Sequence, residues 1–87
     1  MTIGTYPIDE IVVGKDATDV LTIARDRAAK ELGWKGLFLK TMSPITLGQE
    51  AVKRFNASMG TNHPIPQTAQ QFLDLGKELG YITILPD

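Results

Sequence analysis

The chain has 87 residues, nine Lys or Arg against ten Asp or Glu, and a net charge of −1, which sets one small domain and excludes a polycation built for nucleic acid or membrane surfaces. It has no cysteine, which excludes disulfides, thiolate catalysis and cysteine-ligated zinc or iron–sulfur sites. "MTIGTYPIDEIVVG" has no cation before Lys15 and no long apolar core, and no apolar run approaches the ~20 residues of a membrane span, so we expect a cytoplasmic domain over residues 1–87 with no membrane contact.

In chain order, "PIDEIVVG" is the first predicted strand. Ile8, Ile11, Val12 and Val13 are β-branched, Gly14 stops the run, and Pro7 suits a strand start. The first predicted helix covers about Asp16 to Leu32. Asp16 or Thr18 can cap it, Gly33 can end it, and Ala17, Val20, Leu21, Ala24, Ala28 and Leu32 share a face. Ile23 lies off that stripe. "KGLFLKTM" is the second predicted strand, with Leu37 and Leu39 on one side, Phe38 and Lys40 on the other, and Trp34 just before it.

The second predicted helix starts near "SPITLGQE", either at Ser43-Pro44 or from a Thr46–Gln49 capping box, and Gly60 stops it. Its apolar face is Leu47, Ala51, Val52, Phe55 and Met59. The third predicted helix runs from about Pro66 to Leu79. Ala69, Phe72, Leu73, Leu75, Gly76 and Leu79 form one arc, and Gln67, Gln70, Gln71, Asp74, Lys77 and Glu78 the other. "YITIL" is the last predicted strand.

The predicted fold is α+β, a single small domain of order β-α-β-α-α-β, with three helices on a small three-stranded sheet. From residue 16 onward this order is winged-helix-like. "IPQTAQQFLDLGKELGYITILPD" resembles a recognition helix that passes through glycine into a wing strand, a likeness of pattern over residues 43–87. A two-layer sandwich has the same element order.

Two kinds of function fit these elements. The resemblance implies a dimeric DNA-binding protein in which Gln67, Gln70 and Gln71 read bases and Lys40, Lys53 and Arg54 hold phosphates. Electrostatics argue the other way. Affinity for DNA comes mostly from phosphate neutralisation, and the third helix carries Lys77 against Asp74 and Glu78. The plainer reading of its glutamines is a solvated face.

The reading preferred on charge is a small non-enzymatic accessory or regulatory module that binds a protein partner. Ile23, Trp34 and the Gln67, Gln70, Gln71 face are its candidate contacts, and a homodimer through the sheet edge is a further form of it. An anion site at Gly14, Lys15 and the following helix start ranks below both, because Asp16 and Asp19 would repel phosphate. His63, the one histidine, has no partner by spacing and reads as a loop residue. Asp9 and Glu10, adjacent in the predicted strand, point to opposite faces. The expectation is no catalytic residue, no cofactor and no metal.

Overall fold

The computed structural model describes residues 1–7 and 9–86, with the side chains of Trp34, Lys35 and Phe38 set aside. In chain order it contains β1 (Thr2–Thr5), β2 (Ile11–Val13), α1 (Ala17–Leu32), a 3-10 turn (Gly33–Gly36), α2 (Leu37–Lys40), α3 (Pro44–Met59), α4 (Ala69–Glu78) and β3 (Ile82–Leu85). The α+β class and the three-stranded sheet agree with expectation, and both strand pairs are antiparallel. The sheet order is β2-β1-β3, so the N-terminal strand is central and the strand after the last helix lies at an edge.

The central strand comes from "TIGT", ahead of the expected first strand. Ile3 pairs with Val12 on one side and with Ile84 on the other. A tight connection joins β1 to β2, closed by the Thr5 amide donating to the Glu10 carbonyl at 3.0 Å. Pro7, Asp9 and Glu10 therefore belong to a hairpin loop and not to a strand. Ile8, expected in that strand, lies outside the described residues. In a winged helix the strand after the recognition helix folds back as a wing, whereas β3 here pairs along its length with β1.

The strand expected at "KGLFLKTM" is the clearest correction. Residues 33–40 form the 3-10 turn and α2, folded against α1. Gly36 lies so close to α1 that a β-carbon there would overlap the Ala29 carbonyl oxygen. The segment covers the C-terminal half of α1, and the buried stripe shifts accordingly. Ala17, Val20 and Leu21 are buried as expected, Ala29 is buried in place of Ala28, and Leu32 is exposed.

Capping chemistry sets the other helix limits. Asp16 caps α1 by accepting from the Asp19 amide, and Gly33 follows its end at φ 63°. Ser43 caps α3 with Pro44 in the first turn, and Gly60 ends it in the left-handed region at φ 66°. Gln49 does not complete a capping box with Thr46. Its amide instead donates to the Pro66 carbonyl at 2.9 Å and ties α3 to the chain ahead of α4.

The core lies where the inner face of the sheet meets α1 and α4. Ile3, Val12, Ala17, Val20, Leu21, Ala69 and Leu73 are buried there, with Ile23, Phe72 and Ile82 packed around them. Leu73 and Val20 are fully buried, as the arcs drawn for their helices require.

Candidate functional site

α3, α4 and β3 leave an apolar groove of about 220 Å³ between them. α3 contributes Val52 and Phe55, α4 contributes Phe72, Leu75 and Gly76, and Leu79, Tyr81 and Ile82 close the far end. No charged side chain lines it. Its aromatic wall is ordered by edge-to-face packing: Phe55 and Tyr81 have ring centroids 5.9 Å apart at 80°. Tyr81 is 42% exposed.

The groove exists because β3 approaches α4 closely. A β-carbon on Gly76 would lie 2.5 Å from Cδ1 of Ile82, so only glycine lets Ile82 seat against the helix undisturbed. The chain reverses between the two elements through two backbone bonds. The Gly80 amide donates to the Lys77 carbonyl at 3.2 Å and the Tyr81 amide to the Gly76 carbonyl at 2.9 Å.

The predicted contact residues scatter. Ile23 is half-buried and packs against the core, which absorbs the apolar surface that made it a candidate. The side chain of Trp34 lies outside the described residues. Gln67 is not on a helix, because α4 begins at Ala69 with Thr68 as its cap.

The glutamines are engaged locally. Thr68 Oγ1 accepts from the Gln71 amide at 3.1 Å, while Gln71 Oε1 accepts from the Gln67 amide at 2.8 Å. This is a capping box displaced by one residue, and its Thr-x-x-Gln spacing is readable at residues 68–71. Gln70 Nε2 donates to Asp74 Oδ1 at 2.9 Å.

Lys40, Lys53 and Arg54 are exposed, on α2 and α3, and Lys53 is paired with Glu50 at 3.4 Å. The three cations thus lie on elements other than α4, which carries Gln70 and Gln71. At the start of α1, Asp19 Oδ2 accepts from the Lys15 amide at 2.8 Å and Asp16 Oδ1 from the Asp19 amide at 2.9 Å. Carboxylates thus occupy the Lys15 and Asp19 amides and place negative charge at this helix start.

His63 is structural in its surroundings. Its amide donates to Asn56 Oδ1 and its carbonyl accepts from Asn56 Nδ2, both at 3.0 Å, and its ring lies 5.8 Å from Phe55. Among the described residues no group of three or more His, Asp or Glu side chains is placed to hold a metal, and no helix is long and apolar enough to cross a membrane. In the sequence the only trace of the groove is the aromatics Phe55, Phe72 and Tyr81, which fit helix faces or a strand equally well. No protein-family model matches the chain, and neither does any curated protein or solved structure.

Proposed function

We propose that this chain is a non-enzymatic accessory module that binds a protein partner, and that the groove between α3, α4 and β3 receives it. The observation that carries the reading is an uncharged cleft walled by Phe55, Phe72, Leu75, Leu79 and a partly exposed Tyr81. Partly exposed aromatic and aliphatic side chains around a recess are what protein interfaces use to seat an anchor residue. Size favours the same conclusion. Pockets for small ligands run from about 300 to 1,000 Å³, and about 220 Å³ suits a side chain or two of a protein better than a cofactor. The lining offers no carboxylate, imidazole, amine or thiol, and its one hydroxyl is that of Tyr81.

The test is comparative capture from an extract of the native host, with wild type, Ala51→Glu and Ala57→Glu as baits. Both alanines are exposed, and Ala51 borders the groove. A carboxylate at the groove should abolish retention of a partner that wild type and Ala57→Glu both hold. A partner retained equally by all three baits would refute the groove, and no partner for any bait would refute the module.

A further inference from the structure

The groove ends at a sheet edge whose backbone is open. The Tyr6 amide donates to the Tyr81 carbonyl at 3.0 Å, and this sets the phase of the β1–β3 ladder. Bonded pairs alternate in an antiparallel ladder. Gly4–Thr83 and Thr2–Leu85 are therefore bonded pairs, and Ile82 and Ile84 turn their N–H and C=O groups away from β1. Among the described residues nothing bonds those four groups.

The two edges of the sheet differ. β2 is three residues long, follows Asp9 and Glu10, and has its Ile11 carbonyl taken by Arg27 Nη1 at 2.8 Å. Short length, flanking charge and covering groups are how an edge is kept from pairing with other chains. β3 is one residue longer, and nothing among the described residues bonds its outward groups. Gly80 to Leu85 carries no charge, and the first interruption is Pro86.

We infer that β3 pairs with β3 of a second copy of the chain, antiparallel about a two-fold axis at Thr83. This deepens the protein-binding reading by naming the partner, and it rests on that reading for the use of the groove.

Register selects this arrangement. Centred on Thr83, Ile82 faces Ile84 of the second copy and exchanges both backbone bonds with it, and the symmetric pair does the same. All four outward groups of each copy are then satisfied. Centring on Ile84 would set Ile82 against Pro86, which has no N–H. Centring on Ile82 would set Ile84 against Gly80, whose amide already serves Lys77 and whose φ of 87° is not that of a strand.

Side chains agree with the register. Ile82 and Ile84 share the inner face, and Ile82 lines the groove while Ile84 is 38% exposed. Pairing about Thr83 carries Ile84 of each copy alongside Ile82 of the other, at the mouth of the other's groove. An uncharged strand meeting itself sets no like charges opposite one another, so self-pairing meets no electrostatic barrier. A four-residue edge and one groove lie at the small end of interface sizes, below about 1,200 Å², which makes the dimer reversible.

Because the chain has no cysteine, Thr83→Cys gives one thiol per copy. Across the axis, Thr83 faces its own copy in a non-bonded pair with Cα atoms about 4.5 Å apart, inside the range of about 4.4–6.8 Å for a disulfide. Mild oxidation should link Thr83→Cys into a covalent dimer at least about tenfold faster than Val13→Cys, whose exposed residue lies on the far strand. In sedimentation equilibrium the wild type should dimerise as concentration rises. Ile84→Lys, a change at an exposed side chain, should raise the dissociation constant at least about tenfold with an unchanged circular dichroism spectrum.

Equal cross-linking at the two positions, or a wild type that stays monomeric to millimolar concentration, overturns the pairing. A monomer that still captures a partner sensitive to Ala51→Glu overturns the pairing alone. A monomer that captures nothing overturns the protein-binding reading as well.

Discussion

Gly36 packs against the carbonyl of Ala29 with no room for a β-carbon, so a buried glycine joins the 3-10 turn to the last turn of α1. The obstacle is backbone inside a regular helix and cannot rotate away. Gly36→Ala should therefore destabilise by at least about 2 kcal/mol, within the usual range for overpacking. The check is a lower urea midpoint at an unchanged slope.

Gly76 offers the contrast. A β-carbon there meets the far end of Ile82, a side chain that can change rotamer. Alanine at a helix position also gains about 1 kcal/mol over glycine. Gly76→Ala should consequently stay within about 1 kcal/mol of wild type, with gain and strain offsetting. Gly76→Val, which adds bulk beyond the β-carbon and forfeits the helix gain, should lose about 2 kcal/mol. Equal losses for Gly36→Ala and Gly76→Ala in urea melts would contradict the distinction between fixed and movable obstacles.

The glutamine face should behave as helix-end chemistry. Thr68→Ala removes the cap of α4 and should cost about 1 kcal/mol. Gln71→Ala loses an exposed bond to the Gln67 amide and should cost about 0.5 kcal/mol. The two residues form one linked box, so the double variant should depart from the sum of the singles. Thermal melts of the four proteins decide it, and strict additivity would mean that the two bonds act independently.

What could be read from the chain was whatever a single element records about itself. The arc Ala69, Phe72, Leu73, Leu75, Gly76, Leu79 repeats at helical spacing for ten residues, and the structure buries Ala69 and Leu73 on it. "YITIL" is short but bounded by Gly80 and Pro86. "KGLFLKTM" misled because four alternating residues fit a strand and a helical turn equally. The fact that decides between them, Gly36 against Ala29, is a tertiary contact that leaves no periodicity. "TIGT" was missed because Gly4 interrupts a very short run, although Thr2, Ile3, Thr5 and Tyr6 are all strand formers. The groove could not be read at all, since its walls come from three elements and each lining residue also serves as an ordinary apolar position in its own element.

Duplex DNA gives a direct test of the nucleic-acid alternative. Lys53 is paired with Glu50, Gln70 with Asp74, and the chain is net negative. Random-sequence duplex at low salt should show no retention in an electrophoretic shift at micromolar protein. Binding that weakens steeply as salt rises would signal phosphate neutralisation and reinstate Lys40, Lys53 and Arg54 as contacts.

Asn56 ties the loop after α3 to α3 beside the groove wall. Its Oδ1 accepts from the His63 amide at 3.0 Å and the Thr61 hydroxyl at 2.9 Å, while its Nδ2 donates to the His63 carbonyl. His63 lies beside Phe55, and Phe55 meets Tyr81 edge to face. Asn56→Ala leaves the amide and carbonyl of a half-buried residue without partners and should cost about 1–3 kcal/mol. Asn56→Asp retains the oxygen that accepts twice and loses the single donor, so its loss should be smaller, about 1 kcal/mol. The same order should appear in the aromatic proton shifts of Phe55 and Tyr81, because releasing His63 removes one side of the Phe55 packing. Stability that falls in both variants while those shifts stay fixed would show that Asn56 secures the loop without bearing on the groove.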